Sequence, residues 1–348
     1  MKPYPRFFCR RAAPKAQSAP LGAASRRRSV GAFFAALALT VAATSALADY
    51  PTRPIRLIVP MAPGGPADLT ARLYGKLLSE ELGQPVVVDN RSGGGGVNGS
   101  VLMAQAEPDG YTIGMGTISY FGINPTLMSN LPFDAQKDFT PIGNIAATSG
   151  IILATKDAPF NDLKGLIAYA KENPGKVTYA SAGVGSVGHM VGESLNHTAG
   201  IQLTHVPYRG TTPAAQGLLA GSVMLFIETS LATAIQHLPT GRIKAIAITR
   251  KDRTPLLPEV PSMGEGGYPQ IDSPAWFGVV GPAGMPQEAV DKLSAVILKG
   301  FRSKEVQEQL ARFGAEPVPS SPTEFRRYIG EEIDRWGQLI RAANIKME

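Results

Sequence analysis

Residues 55–82 have the sequence IRLIVPMAPGGPADLTARLYGKLLSEEL, and this stretch decides the fold class. Its first six residues form an apolar run that is typical of a buried β-strand. A Gly- and Pro-rich loop follows, and then apolar residues recur at 69, 73, 77, 78 and 82, the spacing of one face of an amphipathic helix. Asp68 or Thr70 suits the helix N-terminus, because both residue types favour N-caps. The stretch therefore predicts a strand–loop–helix unit.

Strands and helices continue to alternate after this unit. A strand at 86–88, the Gly run at 93–96, a helix near 97–106 and a strand at 111–115 follow in order. An alternation of this kind implies a mostly parallel sheet with helices on both faces, and therefore an α/β fold.

A second α/β unit is predicted from about residue 150. Its strands are 151–154, 177–181, 203–206, 223–227 and 243–249, and its helices lie near 162–173, 187–199, 212–220 and 231–238. A strand at 277–280 then precedes three helical patterns. The last begins with a capping box, Ser321-Pro322-Thr323-Glu324. Its apolar stripe, which we expect to pack on the core, consists of Phe325, Ile329, Ile333, Trp336 and Ile340.

Length and charge exclude several classes of protein. The 348 residues, 44% of them hydrophobic, form one large domain or two ordinary ones rather than a disordered chain. One Cys cannot form an internal disulfide, which excludes a disulfide-stapled mini-protein. The net charge of +6 is misleading, because residues 1–48 hold eight of the 34 basic residues and no acidic residue. The charge therefore does not indicate a nucleic-acid partner.

The N-terminus has the three parts of a secretory signal peptide. Three arginines at 26–28 precede an apolar run at 30–43, and Ala46-Leu47-Ala48 forms an A-x-A cleavage site. The run is shorter than the about 20 residues of a membrane span. A membrane anchor or a buried helix is the alternative interpretation. We expect cleavage after Ala48, which removes Cys9 and leaves a cysteine-free chain in the bacterial periplasm; the sequence leaves Sec or twin-arginine export open.

Two Gly-rich loops each lie between a predicted strand and a predicted helix. We call them loop 1 (residues 61–68) and loop 2 (residues 181–189). In open α/β sheets, ligands bind outside the carboxyl ends of the strands, where such loops lie. Glycines let backbone N–H groups converge, and a helix N-terminus adds its positive dipole end, so that an anion binds without a charged side chain. The spacing alone also fits two ordinary tight turns.

Other chemical patterns are incomplete. Residues 183–188 match G-x-G-x-x-G, but the acidic residue expected about 20 positions later is missing, and only Arg209 is a candidate for a 2′-phosphate. His189 and Glu193, four residues apart on a predicted helix, are two metal ligands and not a complete site. No G-x-S-x-G, P-loop or H-E-x-x-H motif occurs. An exported α/β enzyme and a dinucleotide-binding oxidoreductase remain alternative functions.

An ordered set of short motifs spans nearly all of residues 50–348. The set comprises Tyr50-Pro51-x-Arg53-Pro54-Ile55, Val59-Pro60-Met61-Ala62-Pro63-Gly64-Gly65-Pro66-x-Asp68, Asn90-Arg91, Pro108-Asp109-Gly110-Tyr111-Thr112, Ile123-Asn124-Pro125, Asp138-Phe139-Thr140-Pro141, Ser181-Ala182-Gly183-x-Gly185-Ser186-x-x-His189, His205-Val206-Pro207-Tyr208-x-Gly210, Trp276-Phe277-Gly278 and Pro282-Ala283-Gly284. With these motifs the chain resembles the Bug (Bordetella uptake gene) extracytoplasmic receptors, the solute-binding components of tripartite tricarboxylate transporters.

The resemblance implies a type II periplasmic-binding-protein fold, in which two α/β domains joined by crossing strands close on a ligand. Residues 49–148 with 273–348 would form domain 1, and residues 149–272 would form domain 2. It also implies that the two loops hold one ligand carboxylate through backbone groups and water. We assign that role to Pro63, Gly64, Gly65, Ala182, Gly183 and Ser186.

Further residues are candidates for the same site. We expect Thr117, Ser119, Tyr120, Tyr208 and Glu228 to contact the distant part of the ligand. The remaining candidates are Met61, Ala62, Asp68, Ser181, Gly185 and His189. We expect no catalytic residue, no metal and no cofactor.

The expected function is capture of a small carboxylate (an organic, amino or aromatic acid) for a membrane permease, or for a membrane sensor as an alternative. The mature chain would be a monomer that neither inserts into the membrane nor binds nucleic acid. The family usually has acidic residues where this chain has Gln216 and Ser222, and Glu228 lies near where an Asp is common. These differences leave the identity of the acid open.

Overall fold

The computed structural model describes residues 50–93, 96–343 and 345, and the chain from Tyr50 onward forms one compact unit. The predicted signal peptide, residues 1–48, and part of the Gly run at 93–96 lie outside the described residues. Within the described part, no helix has both the length and the apolar character needed to cross a membrane.

The described strands form two sheets. They are β1 (Ile55–Val59), β2 (Val86–Asn90), β3 (Thr112–Thr117), β4 (Phe139–Thr148), β5 (Ile151–Thr155), β6 (Thr178–Ser181), β7 (Thr204–Pro207), β8 (Leu225–Glu228), β9 (Ile243–Ile248), β10 (Ala275–Pro282) and β11 (Ala315–Pro317). The first sheet has the order β11-β4-β10-β3-β1-β2, and the second has the order β7-β6-β8-β5-β9. The two-sheet α/β architecture agrees with the prediction.

Helices cover both sheets. They are α1 (Pro66–Leu82), α2 (Val97–Ala104), α3 (Asn124–Leu127), α4 (Leu163–Glu172), α5 (Val187–Ala199), α6 (Thr211–Leu219), α7 (Ala232–His237), α8 (Gln287–Gly300), α9 (Lys304–Ala311) and α10 (Pro322–Ala342), with a π-helical turn at Ser119–Ile123 and a 3-10 turn at Leu238–Thr240. We call the first sheet with α1–α3 and α8–α10 the first lobe, and the second sheet with α4–α7 the second lobe.

Parallel strands place the two loops at equivalent positions. In the first sheet β1 pairs in parallel with β2 and β3, and in the second sheet β6 pairs in parallel with β7 and β8. Loop 1 follows β1 and loop 2 follows β6, so each loop leaves the carboxyl end of a strand that has a parallel neighbour on either side. This is the position at which open α/β sheets bind ligands.

The parallel pairing predicted from residues 55–115 is confirmed for β1, β2 and β3, but each sheet also contains antiparallel strands. β10 is antiparallel to β3 and β4, β4 is antiparallel to β11, and β5 is antiparallel to β8 and β9. The reason is the connectivity: the chain passes from the first lobe to the second between β4 and β5 and returns between β9 and β10. The strands that enter each sheet after a crossing, β5 and β10, therefore run opposite to the parallel strands of that sheet, whereas β4 and β9 run with them. The chain from Tyr50 onward is one compact unit and is not divided further. The predicted boundaries between domain 1 and domain 2 therefore stay a prediction.

The sequence patterns for helices are mostly confirmed. The capping box at the start of α10 is present, and Phe325, Ile329, Trp336 and Ile340 are buried. Behind this helix, Trp276 and Trp336 both donate through Nε1 to Oε2 of Glu332, at 3.3 and 3.2 Å. A side chain added at Gly122, in the π-helical turn, would meet Cδ1 of Trp336 at 3.4 Å. The two tryptophans therefore share one buried environment that touches this turn.

The predicted N-cap of α1, Asp68 or Thr70, is wrong by three or five residues. The helix begins at Pro66 with Gly65 as N-cap, and Asp68 is its third residue. Pro suits the first helical position, because the N–H that it lacks would have no helical acceptor there. Asp68 and Thr70 are therefore not N-caps.

Candidate functional site

Loop 1 is fixed by the buried carboxylate of Asp68. Its Oδ2 accepts from the N–H of Gly64 at 2.9 Å and from Nε of Arg72 at 2.9 Å, and its Oδ1 accepts from Nδ2 of Asn90 at 2.9 Å. The same Asn90 amide also donates to the carbonyl of Met61 at 3.1 Å. Asp68 is 2% exposed, so its carboxylate fixes the loop and is already surrounded by donors.

The charge of Asp68 is stabilised by these donors. Burial raises the pKa of this carboxyl, but the hydrogen bonds from Arg72, Gly64 and Asn90 outweigh it, so that the pKa lies below the ordinary value. Asp68 is therefore an anion at neutral pH.

Loop 2 is fixed by hydroxyl groups. The N–H of Gly183 donates to Oγ of Ser181 at 3.1 Å, and Oγ of Ser186 donates to the carbonyl of Gly183 at 2.7 Å. Oγ of Ser186 also accepts from the N–H of His189 and so caps α5. Beneath the loop, Oγ of Ser181 lies 2.7 Å from Nε2 of His205.

The two loops share one motif. In each loop a Gly with positive φ, Gly64 at +89° and Gly185 at +75°, immediately precedes the N-cap of the following helix. Its N–H donates to the side chain of the third helical residue, Asp68 in loop 1 at 2.9 Å and His189 Nδ1 in loop 2 at 3.2 Å. An anion and an imidazole therefore have the same structural task in the two lobes.

Two stacked imidazoles lie beneath loop 2. The rings of His189 and His205 have centroids 4.2 Å apart and planes inclined by 20°, and the Tyr179 ring also stacks on His205, with centroids 4.9 Å apart. Burial lowers the pKa of His189, against the charge of Glu193, and burial together with His189 lowers the pKa of His205 to about 4. Both imidazoles are therefore neutral at physiological pH.

Each loop ends in helical N–H groups that need an acceptor from outside the helix. The first N–H groups of any helix have no intrahelical partner. In α1 these belong to Ala67 and Asp68, since Pro66 has none and no side chain caps the helix. In α5 they belong to Val187 and Gly188, because Ser186 caps only the N–H of His189. All four residues are buried.

The segment 119–127 lies between the two loops. Tyr120 is buried, and its hydroxyl lies 3.5 Å from the carbonyl of Pro60, at the start of loop 1. On the other side, a Cβ at Gly185 would lie 3.2 Å from Cδ2 of Leu127 and 3.4 Å from Oδ1 of Asn124. Loop 2 therefore contacts the first lobe through the same short segment that borders loop 1.

The other predicted site residues are spread around these loops. Thr117 is buried at the end of β3, and Ser119 begins the π-helical turn. The N–H of Tyr208 donates to the carbonyl of Ser181 at 3.1 Å, so this residue borders loop 2. Of the loop residues themselves, Met61, Ala62, Pro63 and Gly64 are exposed, while Gly65, Ala182, Gly183 and Ser186 are half-buried.

Glu228, at the carboxyl end of β8, has its carboxylate inside the second lobe. It is 1% exposed, and its carboxylate accepts from Oγ of Ser230 at 2.9 Å and from the N–H of Thr233 at 3.2 Å. Burial raises the pKa of Glu228 to about 7, although the hydrogen bonds from Ser230 and Thr233 lower it. Its predicted contact with the ligand stays a prediction.

The alternative chemistries gain no geometric support. Oε1 of Glu193 accepts from the hydroxyl of Tyr179 at 2.7 Å, while Nδ1 of His189 accepts from Gly185, so both members of the candidate metal pair have other partners. Among the described residues, no group of three His, Cys, Asp or Glu is placed to hold a metal ion.

Sequence reasoning missed four residues that organise the site. Asn90 and Asn124 stand in the quoted motifs without an assigned role, and Leu127 has no distinguishing pattern. The His205 ring stacks on the His189 ring, 16 residues earlier in the chain. Helical and strand periodicity relate residues within one element, so they could not predict this contact between a helix and a strand. Only the Asn–Arg pair directly after a predicted strand was a usable signal, because that position lies at the ligand-binding edge of an α/β sheet.

Comparison with known proteins supports one family. A family model described as "Tripartite tricarboxylate transporter family receptor" matches residues 70–345. Rpa4515 of R. palustris, solved with adipate, has a TM-score of 0.80 at 34% identity, over 86% of this chain and 99% of that one. The periplasmic binding protein BugD has a TM-score of 0.76 at 34% identity, over 86% and 100%.

A third solved structure carries a different acid. MatC from Rhodopseudomonas palustris, with bound malate, has a TM-score of 0.75 at 33% identity, over 84% of this chain and 100% of that one. Together the three similarities confirm the predicted periplasmic-binding-protein fold.

Proposed function

Because the chain belongs to the tripartite tricarboxylate transporter receptor family, the Bug family that its motifs resemble, we propose that loops 1 and 2 together bind one carboxylate of a small ligand. Like BugD, receptors of this family are periplasmic binding proteins. We further propose that residues 1–48 act as a signal peptide, which directs export of the chain and is removed after Ala48.

One observation carries the proposal: the two loops end at helix N-termini that are not fully capped. The N–H groups of Ala67, Asp68, Val187 and Gly188 have no acceptor within their own helices and are available to an outside acceptor. A carboxylate provides two oxygens with several lone pairs, and helix N-termini favour anions. Charge-assisted hydrogen bonds of about 1.5–3 kcal/mol each account for much of the roughly −8 kcal/mol of micromolar binding.

The arginine side chains near loop 1 already pair with carboxylates of the protein. The guanidinium of Arg72 binds Asp68 at 2.9 and 3.0 Å, and Arg91 pairs with Asp89 at 2.9 Å. Backbone groups are therefore better placed than these side chains to hold a carboxylate at loop 1.

The ligand class follows from the relatives. Rpa4515 was solved with adipate and MatC with malate, both small dicarboxylic acids. We propose that this protein captures a small carboxylate without changing it chemically and delivers it to a membrane permease.

A thermal-shift series with adipate, malate, monocarboxylates and tricarboxylates tests the proposal. A ligand at 100 times its Kd stabilises the folded state by about 2.7 kcal/mol, which raises the melting temperature by several degrees. Isothermal titration then gives the Kd. If no carboxylate shifts the melting temperature at millimolar concentration, the proposal is wrong.

Gly65→Val localises the binding to loop 1. Gly65 has φ −83° and no heavy atom within 4 Å of an added Cβ, so the variant should fold normally. Its branched side chain would stand at the end of α1 and weaken binding at least tenfold. Pro286→Val, at the N-cap of α8 with φ −58°, is the matched control and should bind as the wild type does. Unchanged affinity in Gly65→Val would place the carboxylate elsewhere.

A further inference from the structure

Gly185 is a point of contact between the lobes. It is buried at the tip of loop 2, in the second lobe, and an added Cβ would meet Leu127 at 3.2 Å and Asn124 at 3.4 Å, both in α3 of the first lobe. Its φ of +75° is a conformation that L side chains rarely adopt. The backbone conformation therefore favours Gly here, and any added side chain would press against Leu127 and Asn124.

His189 fixes Gly185 in this position. The N–H of Gly185 donates to Nδ1 of His189 at 3.2 Å. A ring nitrogen accepts a hydrogen bond only when it carries no proton, so this imidazole is neutral with its proton on Nε2. A proton on Nδ1 would turn the acceptor into a donor facing another donor, and the contact would break.

The groups around His189 decide when that proton arrives. Burial under loop 2 opposes the charged form of His189, whereas Glu193 on α5 favours it. The ring of His205 on β7 stacks on the His189 ring. Tyr179 on β6 donates its hydroxyl to Glu193 and is the remaining titratable group of the cluster. The corresponding hydrogen bond in loop 1 should not change near neutral pH, because its acceptor, Asp68, stays an anion in that range.

We propose that His189 is a positioning residue for lobe closure: its neutral imidazole holds Gly185 against Asn124 and Leu127, and a proton on Nδ1 releases Gly185, opens the lobes and weakens ligand binding. The effect of His189 on lobe closure goes beyond the proposed function. The weakening of ligand binding rests on the proposed function, because it assumes that the two loops bind a ligand. Uptake of the proton occurs below pH 6.5, the ordinary pKa of His, since the pKa of His189 is lowered.

Energy transfer between two dyes measures closure without a ligand. Lys171→Cys in the second lobe and Lys304→Cys in the first lobe are exposed labelling sites, and the chain from Asp49 onward has no cysteine of its own. The expected result is a lower transfer efficiency at pH 5 than at pH 7.5, while circular dichroism shows a folded protein at both.

Two substitutions of His189 separate the effect of losing the hydrogen-bond acceptor from the effect of protonating it. His189→Asn places Oδ1 where Nδ1 lies, so it should remain closed at both pH values. His189→Leu removes the acceptor and should be more open than the wild type even at pH 7.5. His197→Gln, at an exposed position on the same helix, is the matched control and should follow the wild type. A full pH response in His189→Asn would overturn the inference.

Adipate serves as the probe for the effect on binding. Release of one proton on binding makes the wild-type Kd rise at most tenfold per pH unit of acidification. Adipate itself takes up protons in this range, so the quantity compared is the Kd of the wild type divided by the Kd of His189→Asn at each pH. A ratio that does not rise from pH 7.5 to pH 5 contradicts the coupling to binding. A closure response without any adipate or malate binding would leave the closure inference standing and count against the proposed function.

Discussion

Asp68 and His189 hold a Gly N–H in the same way but differ in what pH does to them. Asp68 is surrounded by Arg72, Asn90 and the N–H of Gly64, so its charged form is favoured. His189 is buried, so its neutral form is favoured despite the charge of Glu193. The two loops are therefore fixed by different kinds of acceptor: the charged carboxylate of Asp68 in loop 1 and the neutral imidazole of His189 in loop 2.

Asp68→Ala should lower the free energy of unfolding by about 2 kcal/mol, because it leaves buried donors without their acceptor. Glu80→Ala is the matched control on the same helix: it removes an exposed carboxylate 3.7 Å from Lys76 and should cost less than about 0.5 kcal/mol. Urea denaturation of both variants gives the two values. Equal losses would mean that the hydrogen bonds of Asp68 add nothing to stability.

Among the elements, α10 shows how local sequence determines a boundary. Oγ of Ser321 accepts from the N–H of Glu324 at 3.3 Å, and Oε2 of Glu324 accepts from the N–H of Ser321 at 2.8 Å. This reciprocal pair satisfies two N–H groups at the start of the helix and could be predicted from four residues. By contrast, β4 was not predicted, because Pro141, Gly143 and Asn144 interrupt its strand pattern.

Ser321→Ala should destabilise the protein by about 1 kcal/mol, since it removes the cap of α10. Thr323→Ala, two residues later on an exposed position of the same turn, should change stability by less than about 0.5 kcal/mol. Thermal or urea unfolding distinguishes the two. A Ser321→Ala variant as stable as Thr323→Ala would show that the cap is energetically neutral.

For the whole molecule, local sequence patterns predicted the units, whereas their connection by crossing strands was predicted only from the family resemblance. Strand–helix alternation follows from local periodicity, so α1, α5 and the parallel strands were predicted. The antiparallel strands β4, β5 and β10 depend on where the chain crosses between lobes, which no local pattern records. The loops were predicted because Gly and helix starts are visible in a sequence, but the partners that fix them, Asn90 and His205, come from other strands.

The stability of the whole protein should combine two opposite pH dependences. The pKa of Glu228 is raised from 4.5 to about 7, so its contribution is present below pH 4.5 and is lost as pH rises through 7. The pKa of His205 is lowered from 6.5 to about 4, so its contribution is present above pH 6.5 and is lost as pH falls towards 4. Between about pH 4.5 and 6.5 the two dependences largely cancel, so these two groups together leave the stability nearly constant there.

Glu228→Gln should gain stability relative to the wild type as pH rises from 5 to 8, by up to about 3 kcal/mol, because the neutral amide carries no buried charge. Glu308→Gln, the same substitution at an exposed position, should show no such trend. Melting temperatures at pH 5, 6, 7 and 8 give the comparison. Parallel curves for the wild type and Glu228→Gln would mean that Glu228 is already ionised at pH 5.

The shared environment of Trp276 and Trp336 gives the protein a single optical reporter. They are the two tryptophans of the chain, both donate to Glu332, and Trp336 touches the π-helical turn of the segment between the loops. Indole emission therefore comes from one dry site. A spectral change on titration with an acid would signal displacement of that turn, whereas a large red shift would signal entry of solvent into the first lobe.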